Sequence, residues 1–192
     1  MSKNEIAVLG LLSEKPMHGY EIHQQITCRE MDYWAKIKLP SIYNTLIRLE
    51  EQGLIQSGKE KVGKMPERTV HTITAAGRAK LAELVTQLLR VEERPEWSFG
   101  LAVAFIFSAA RSVVLEALHH RRQLLAQGLA ALEEERRGYE GKIPFNWYML
   151  IEAGVQHMRL ELDWLDDLIE KVKTTESWNN EVQCNDCPEG GC

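Results

Sequence analysis

Ile6, Leu9 and Leu12 recur at steps of three, which lines one face of an α-helix, and Pro16 stops that helix because proline has no N–H to continue it. A second helix is expected from His18 to about Arg29, packing through Tyr20, Ile22 and Ile26, and Lys36 to Pro40 reads as a linker. The third helix starts at Pro40 or Ser41, where proline suits a first turn and serine suits a cap, and Gly53 ends it. The pattern then changes to two short segments, Leu54 to Lys59 and Arg68 to Ile73, joined by a loop with Gly63, Lys64 and Pro66: a hairpin. Thr74 is a natural cap for the next helix, which carries Leu81, Leu84, Val85 and Leu88. Three helices, a hairpin and a helix predict a winged helix-turn-helix.

Glu92-Glu93-Arg94-Pro95 marks the expected domain boundary, since proline after a charged helix end does not continue the pattern. Beyond it the chain reads as all helix. Leu115, Leu118, Leu125, Leu129 and Leu132 sketch a heptad seam interrupted by Arg122. Tyr148, Ile151, Val155, Met158, Leu162, Leu165, Ile169 and Val172 alternate steps of three and four without a break, a narrow stripe made to face another helix. With a reversal over 138–144, the two helices are expected to pack antiparallel within a protomer and also to supply a dimer interface. The expected fold is mostly α: a winged helix-turn-helix domain over 1–95, a helical dimerisation and effector domain over 96–178, and a flexible Cys-containing tail over 179–192.

Composition changes this picture little and charge changes it more. At 192 residues, 44% hydrophobic and 27% charged, the chain can bury its own cores without disulfides or metal. The longest apolar run, Leu101 to Ala110, falls short of the roughly 18 residues of a bilayer span. The polar N-terminus shows no signal-peptide pattern, so no membrane association and a cytoplasmic location are expected. The net charge is −5, yet Lys36 to Lys80 carries net +5. A basic stretch inside an acidic chain suits a nucleic-acid binder.

Within that stretch, Ile42, Leu46 and Leu49 share one face of the third helix, Ser41, Asn44 and Arg48 fall nearly opposite, and Tyr43 and Ile47 lie on the flank. An apolar docking stripe backed by Ser, Asn and Arg suits a recognition helix in the major groove of double-stranded DNA, where arginine pairs with guanine and asparagine with adenine. A merely solvated helix face has the same pattern. Lys59, Lys61, Lys64 and Arg68 on the hairpin, with Lys36 and Lys38 before the helix, add phosphate-neutralising charge on both sides of it. Lysines along a hairpin also protect a strand edge, but that does not account for Lys36 and Lys38.

The order and spacing of several short words resemble the PadR-like transcriptional regulators: Leu9-Gly10-Leu11-Leu12, His18-Gly19-Tyr20-Glu21-Ile22, Ser41-Ile42-Tyr43 with Leu46, Arg48-Leu49-Glu50-Glu51, and Gly53-Leu54-Ile55. They continue with Gly63-Lys64-Met65-Pro66 and Arg68, Ile73-Thr74 with Gly77-Arg78, and Asp163-Trp164-Leu165. The resemblance runs through Lys173. It implies a homodimeric winged-helix repressor on a roughly palindromic operator, with Tyr20, Ser41 and Tyr43 facing DNA and Lys64 and Arg68 in the wing. The chain departs from the pattern at Asn44, where proline is common, and at His71, where tyrosine is usual.

The same resemblance implies a small aromatic effector, for which Trp97, Phe105, Trp147 and Tyr148 are the candidate contacts, although aromatics at helical spacing are more often core or interface residues. No cofactor is required. Cys184, Cys187 and Cys192, spaced C-x2-C-x4-C, are a candidate site for a thiophilic metal, against the plainer reading of a reduced, unstructured tail. His119, His120, His157 and Glu161 make a weaker metal set. No phosphate-binding glycine loop, HExxH or nucleophile elbow is present, so an enzyme is not expected. The alternatives to a ligand-responsive repressor are a winged-helix protein-interaction module and a thiol or metal sensor working through the tail.

Overall fold

The computed structural model describes residues 3–60, 68–92, 97–176 and 178. The chain divides between Arg94 and Pro95 into two compact units. In the first, the order is α1 (Lys3–Glu14), β1 (Met17–His18), α2 (Gly19–Cys28), α3 (Met31–Trp34), a 3₁₀ turn (Leu39–Ser41), α4 (Ile42–Glu51), β2 (Ile55–Glu60), β3 (Arg68–Ile73) and α5 (Ala75–Leu88). The core is closed by Val8, Leu9, Leu11 and Leu12 of α1, Ile22 and Ile26 of α2, and Ile42, Leu46 and Leu49 of α4, each at most 2% exposed. Leu9, Leu12, Ile22, Ile26, Ile42, Leu46 and Leu49 are apolar positions expected from the sequence, whereas Ile6 is half-buried and Tyr20, expected to pack α2, points to the surface.

Two short elements were not visible in the pattern. Residues 17–18 form a strand, so the wing is a three-stranded antiparallel sheet in the order β1-β3-β2, with Met17 opposite His71 and Ile55 opposite Ile73. A two-residue strand has no periodicity to read. The connector to α4 also contains α3, bracketed by left-handed backbone at Glu30 (φ 52°) and Lys36 (φ 56°). Burial of Met31 and Ile37 holds it there against the cost to a side chain with a Cβ.

The junction of wing and α5 is tightly built. Gly53 turns the chain out of α4 at φ +68°. Thr74 caps α5: its Oγ1 accepts the Gly77 N–H (3.0 Å) and lies 2.8 Å from the Gly53 carbonyl to which it donates, while its own N–H donates to the Leu54 carbonyl (3.0 Å). Along α5 only Leu84 of the expected apolar set is fully buried, and Val85 is 40% exposed.

The second unit contains α6 (Ser98–Ala104), a 3₁₀ turn (Ile106–Ser108), α7 (Arg111–Tyr139) and α8 (Phe145–Thr174). The two long helices form an antiparallel hairpin, reversing through Gly141 at φ +69°. The stripe on α8 is used within the chain: Val155, Leu165, Ile169 and Val172 are buried, and Leu118 of α7 joins the last three together with Trp178. Gly128 and Gly154 admit the side chains of Met158 and Leu132 at 3.7 and 3.0 Å from where a Cβ would stand.

Arg122, the interruption in the α7 seam, lies outside the core. Its guanidinium pairs with Asp166 at 2.5 and 2.9 Å, which raises the arginine's pKa and lowers that of the aspartate. Arg121 takes the inward position beside it, stacked 4.0 Å over the Phe99 ring and paired with Glu161. Arg136 pairs with Glu152 and Arg159 with Glu133 further along. Among the described residues, no helix is long and apolar enough to cross a membrane.

Candidate nucleic-acid interface

The face of α4 turned away from the core carries Tyr43, Asn44, Ile47 and Arg48, with Tyr43 54% and Ile47 57% exposed. At about 100° per residue, Asn44 and Ile47 form the centre of that face, with Tyr43 toward one side and Arg48 and Ser41 toward the other. That side looks onto the N-terminus of α1. Arg48 Nη2 sits 3.4 Å from the Glu5 carboxylate, a loose pair with nearly half of the arginine side chain exposed. Ser41 is more firmly held: its Oγ accepts from Asn4 Nδ2 (2.6 Å) and donates to the Lys38 carbonyl (2.8 Å). Its side chain therefore makes no cap on α4, contrary to the sequence expectation. Of the Ser41, Asn44 and Arg48 stripe, only Asn44 is directed outward without one of these ties to α1.

Tyr43 also leans across the start of α2. A Cβ on Gly19 would stand 2.9 Å from Tyr43 Cε1, so this glycine makes room for the ring. A shallow cleft beside it is lined by His18, Tyr20, Tyr43, Arg68, Thr69 and His71, which joins the outward face of α4 to the wing. Tyr20 is 64% exposed, and its hydroxyl accepts from Gln24 Nε2 at 3.1 Å. His18 Nδ1 donates to the Thr69 carbonyl (2.9 Å), and the Glu21 carboxylate accepts the His18 backbone N–H (2.7 Å), fixing the corner between β1 and α2.

His71, in the middle strand of the wing, pairs with Ser57 Oγ at 2.9 Å. Burial pushes its imidazole below the usual histidine range, the His18 charge adds to that shift, and Glu50 opposes it. A histidine here is accommodated by a polar partner on β2, so the departure from tyrosine leaves the strand pairing intact.

Arg68 is exposed at the start of β3, opposite Glu60. Lys36 is exposed with its Nζ 5.0 Å from the centre of the Tyr33 ring, and Lys38 is exposed at the entry to the 3₁₀ turn. Of the three wing lysines, Lys59 is exposed on β2, while Lys61 and Lys64 lie outside the described residues, as do Cys184, Cys187 and Cys192. Among the described residues, no group of three or more metal-ligating side chains is assembled, and Glu161 of the weaker metal set is paired with Arg121.

The four candidate effector contacts do not meet within one chain. Trp97 forms an edge-to-face cluster with Phe99 and Trp164, at 6.1 and 5.5 Å between ring centres. Trp147 and Tyr148 lie at the other end of α8, about 26 Å away along the helix at 1.5 Å per residue. Phe105 is 70% exposed at the end of α6. The four were grouped on the resemblance alone, which carries no distance along α8. Phe99 and Trp164 are the neighbours it passed over.

Asn4, Glu5 and Gly19 were also passed over. Asn4 carried a signal: it falls in phase with Val8 and Leu11 on the buried stripe of α1, where a polar residue demands a partner.

The chain matches the model of the "Transcriptional regulator PadR-like family" over residues 8–83 and that of "Virulence activator alpha C-term" over 99–173. It is 22% identical over 177 residues to the negative transcriptional regulator PadR of Bacillus subtilis, covering 86% of this chain and 95% of that one. The crystal structure of B. subtilis PadR in complex with operator DNA superposes with a TM-score of 0.75 at 22% identity, covering 88% of this chain and 98% of that chain. The complex of the same protein with p-coumaric acid gives 0.74 at 20% identity, again over 88% and 98%. With the winged fold, the helical second unit and both matched segments in agreement, the chain belongs to the PadR-like family of transcriptional regulators, a family of non-enzymatic proteins.

Proposed function

We propose that this protein is a homodimeric repressor that binds a palindromic operator in double-stranded DNA, with α4 as the recognition helix. The observation that carries the reading is the outward face of Tyr43, Asn44 and Ile47 on a helix whose opposite face is locked into the core, flanked by Arg68 on the wing and Lys36 and Lys38 on the connector. Ile47 suits apolar contact with a thymine methyl, and Asn44 suits the paired donor and acceptor of adenine. Tyr20, Tyr43, Arg48 and the lysines, including Lys61 and Lys64, serve phosphates. Domain roles follow: residues 1–95 read DNA and 96–178 hold the dimer.

A flat aromatic effector is part of the same proposal, on the analogy of the p-coumaric acid complex of the B. subtilis protein. The surface that supports it is the partly exposed Trp97 ring beside Phe99 and Trp164, with the Arg121 guanidinium stacked on Phe99. Trp147 and Tyr148 join such a site only from a second copy of the chain. This reading requires no metal and gives the three tail thiols no role.

The test is selection of duplexes from a fragmented genomic pool by the purified protein, followed by titration of a recovered site at several salt concentrations. Expected are inverted half-sites about one helical turn apart or a multiple of it, and affinity that falls steeply with salt. Recovery of no preferred duplex, or binding indifferent to salt, refutes the reading and favours a protein partner on this face.

A further inference from the structure

We propose that Asn4 is a positioning residue for DNA recognition: its carboxamide, acting through Ser41 and the Lys38 backbone, fixes where α4 begins and hence how Tyr43 and Asn44 are aimed. The inference rests on the DNA-binding reading above and assigns Ser41 to that tie, not to the nucleic acid.

Asn4 is 8% exposed, on the core-facing side of α1. A buried amide costs stability unless its polar atoms are bonded, and an apolar residue of similar size would serve packing alone better. Here the amide is fully used. Nδ2 donates to Ser41 Oγ at 2.6 Å and to the Lys38 carbonyl at 3.2 Å, and Oδ1 accepts the Lys38 N–H at 3.2 Å. All three bonds reach the same short segment, 34 to 37 residues away, and that segment leads directly into α4.

The other side-chain ties near this end do not reach the connector: Thr45 Oγ1 donates to the Ser41 carbonyl (2.9 Å) within the helix turn, and Arg48 makes only the loose pair with Glu5. No side chain caps α4, because Ser41 Oγ is turned to Asn4 and to Lys38. The residues before it include the left-handed Lys36 and a single 3₁₀ turn, which by themselves leave the entry angle open. Tyr43 and Asn44 stand in the first turn, so any shift of that end moves them directly. The buried Ile42, Leu46 and Leu49 settle which face of α4 is inward, and the Asn4 tie settles the position of its first turn.

The experiment measures binding of the full-length protein to a duplex recovered by the selection and to a random duplex of equal length and salt. Asn4→Ala is expected to lower affinity for the recovered duplex about tenfold and for the random duplex less than about twofold, with the salt slope unchanged. Asn4→Asp keeps the acceptor and the volume, removes both donors, and is expected to give the same selective loss even if the alanine variant folds poorly. Equal losses on both duplexes, or no loss with either variant, overturn the proposal. Hydrogen exchange separates this failure from failure of the DNA reading. In the free protein, the amides of Ile42 and Tyr43 must exchange faster in either variant while those of β3 do not, and unchanged exchange overturns the tie even if no preferred duplex exists.

Discussion

Replacing Gly77 with alanine sets two effects of opposite sign against each other. Within a helix, alanine is favoured over glycine by about 0.8–1 kcal/mol. At Gly77, however, the added Cβ would stand 2.0 Å from the Leu54 carbonyl oxygen and 2.8 Å from Ile73 Cγ1. An ordinary carbon–oxygen contact is about 3.3 Å, so the wing and α5 must separate by about 1.3 Å. The groups displaced are backbone, and the Leu54 carbonyl they include accepts the Thr74 N–H. Forced overpacking costs about 1–3 kcal/mol, and loosening the Thr74 cap adds about 1 kcal/mol. Crowding therefore exceeds propensity, leaving a net loss of about 1–3 kcal/mol. For a unit of this size that corresponds to a fall of roughly 5–20 °C in melting temperature. Differential scanning calorimetry measures it, with Gly10→Ala as the comparison: that glycine lies inside α1 with nothing within 4 Å of an added Cβ. Gly10→Ala is expected to hold or raise the melting temperature. Gly77→Ala melting within about 2 °C of the parent chain would refute the crowding argument.

Replacing Lys61 and Lys64 together is expected to weaken binding to all duplexes alike and to flatten the salt slope by roughly one unit per lost phosphate contact; an unchanged slope removes these lysines from the interface. Arg48→Ala is expected to weaken recovered and random duplexes equally, since Arg48 sits to one side of the outward face beside Glu5, and a loss confined to the recovered duplex would make it a base contact. Because His71 is held below its ordinary pKa of 6.5, the unfolded chain binds the extra proton first; that contribution to stability is full above about pH 6.5 and declines as pH falls toward the folded-state value. His71→Tyr should remove this component from a series of melts between pH 7.5 and 5, and parallel curves for the two proteins would refute it. Leu165→Ala, at a fully buried site in the α7–α8 core, is expected to cost about 2–5 kcal/mol by chemical denaturation, whereas Leu160→Ala, 68% exposed, leaves folding nearly unchanged and reports on the dimer through sedimentation.

The sequence was most readable where one physical rule dominated. Ile42, Leu46 and Leu49 repeat at the helical period because burial alone decides those positions, and Thr74 caps α5 because its neighbours supply the N–H it needs. Reading failed where two rules competed. Ser41 is as good a cap as Thr74 by residue type, but the buried Asn4 amide claims its hydroxyl, a contact between residues 37 apart. Arg122 seemed to spoil a heptad seam, yet it is Arg121 that turns inward, where an aromatic face and a carboxylate hold a guanidinium that a hydrophobicity count scores as misplaced. The aromatic effector set came from the resemblance, and a motif match carries no distance: Trp97 and Trp147 are separated by much of the length of α8 within one chain.

The ion pairs between α7 and α8 have a consequence for how this hairpin tolerates change. Arginines at 121, 122 and 136 meet carboxylates at 161, 166 and 152, and Arg159 returns the pairing to Glu133. Charge thus alternates in both directions along the seam, and the two helices match like a key cut on both edges. One residue inserted within α7 would rotate everything beyond it by about 100° and turn guanidinium groups toward solvent while their carboxylates stayed behind. Length change is absorbed instead in the exposed reversal at 140–142, where Gly141 already turns the chain without a partner to lose. Descendants of this chain can lengthen that tip freely, whereas the shafts on either side must lengthen together or not at all.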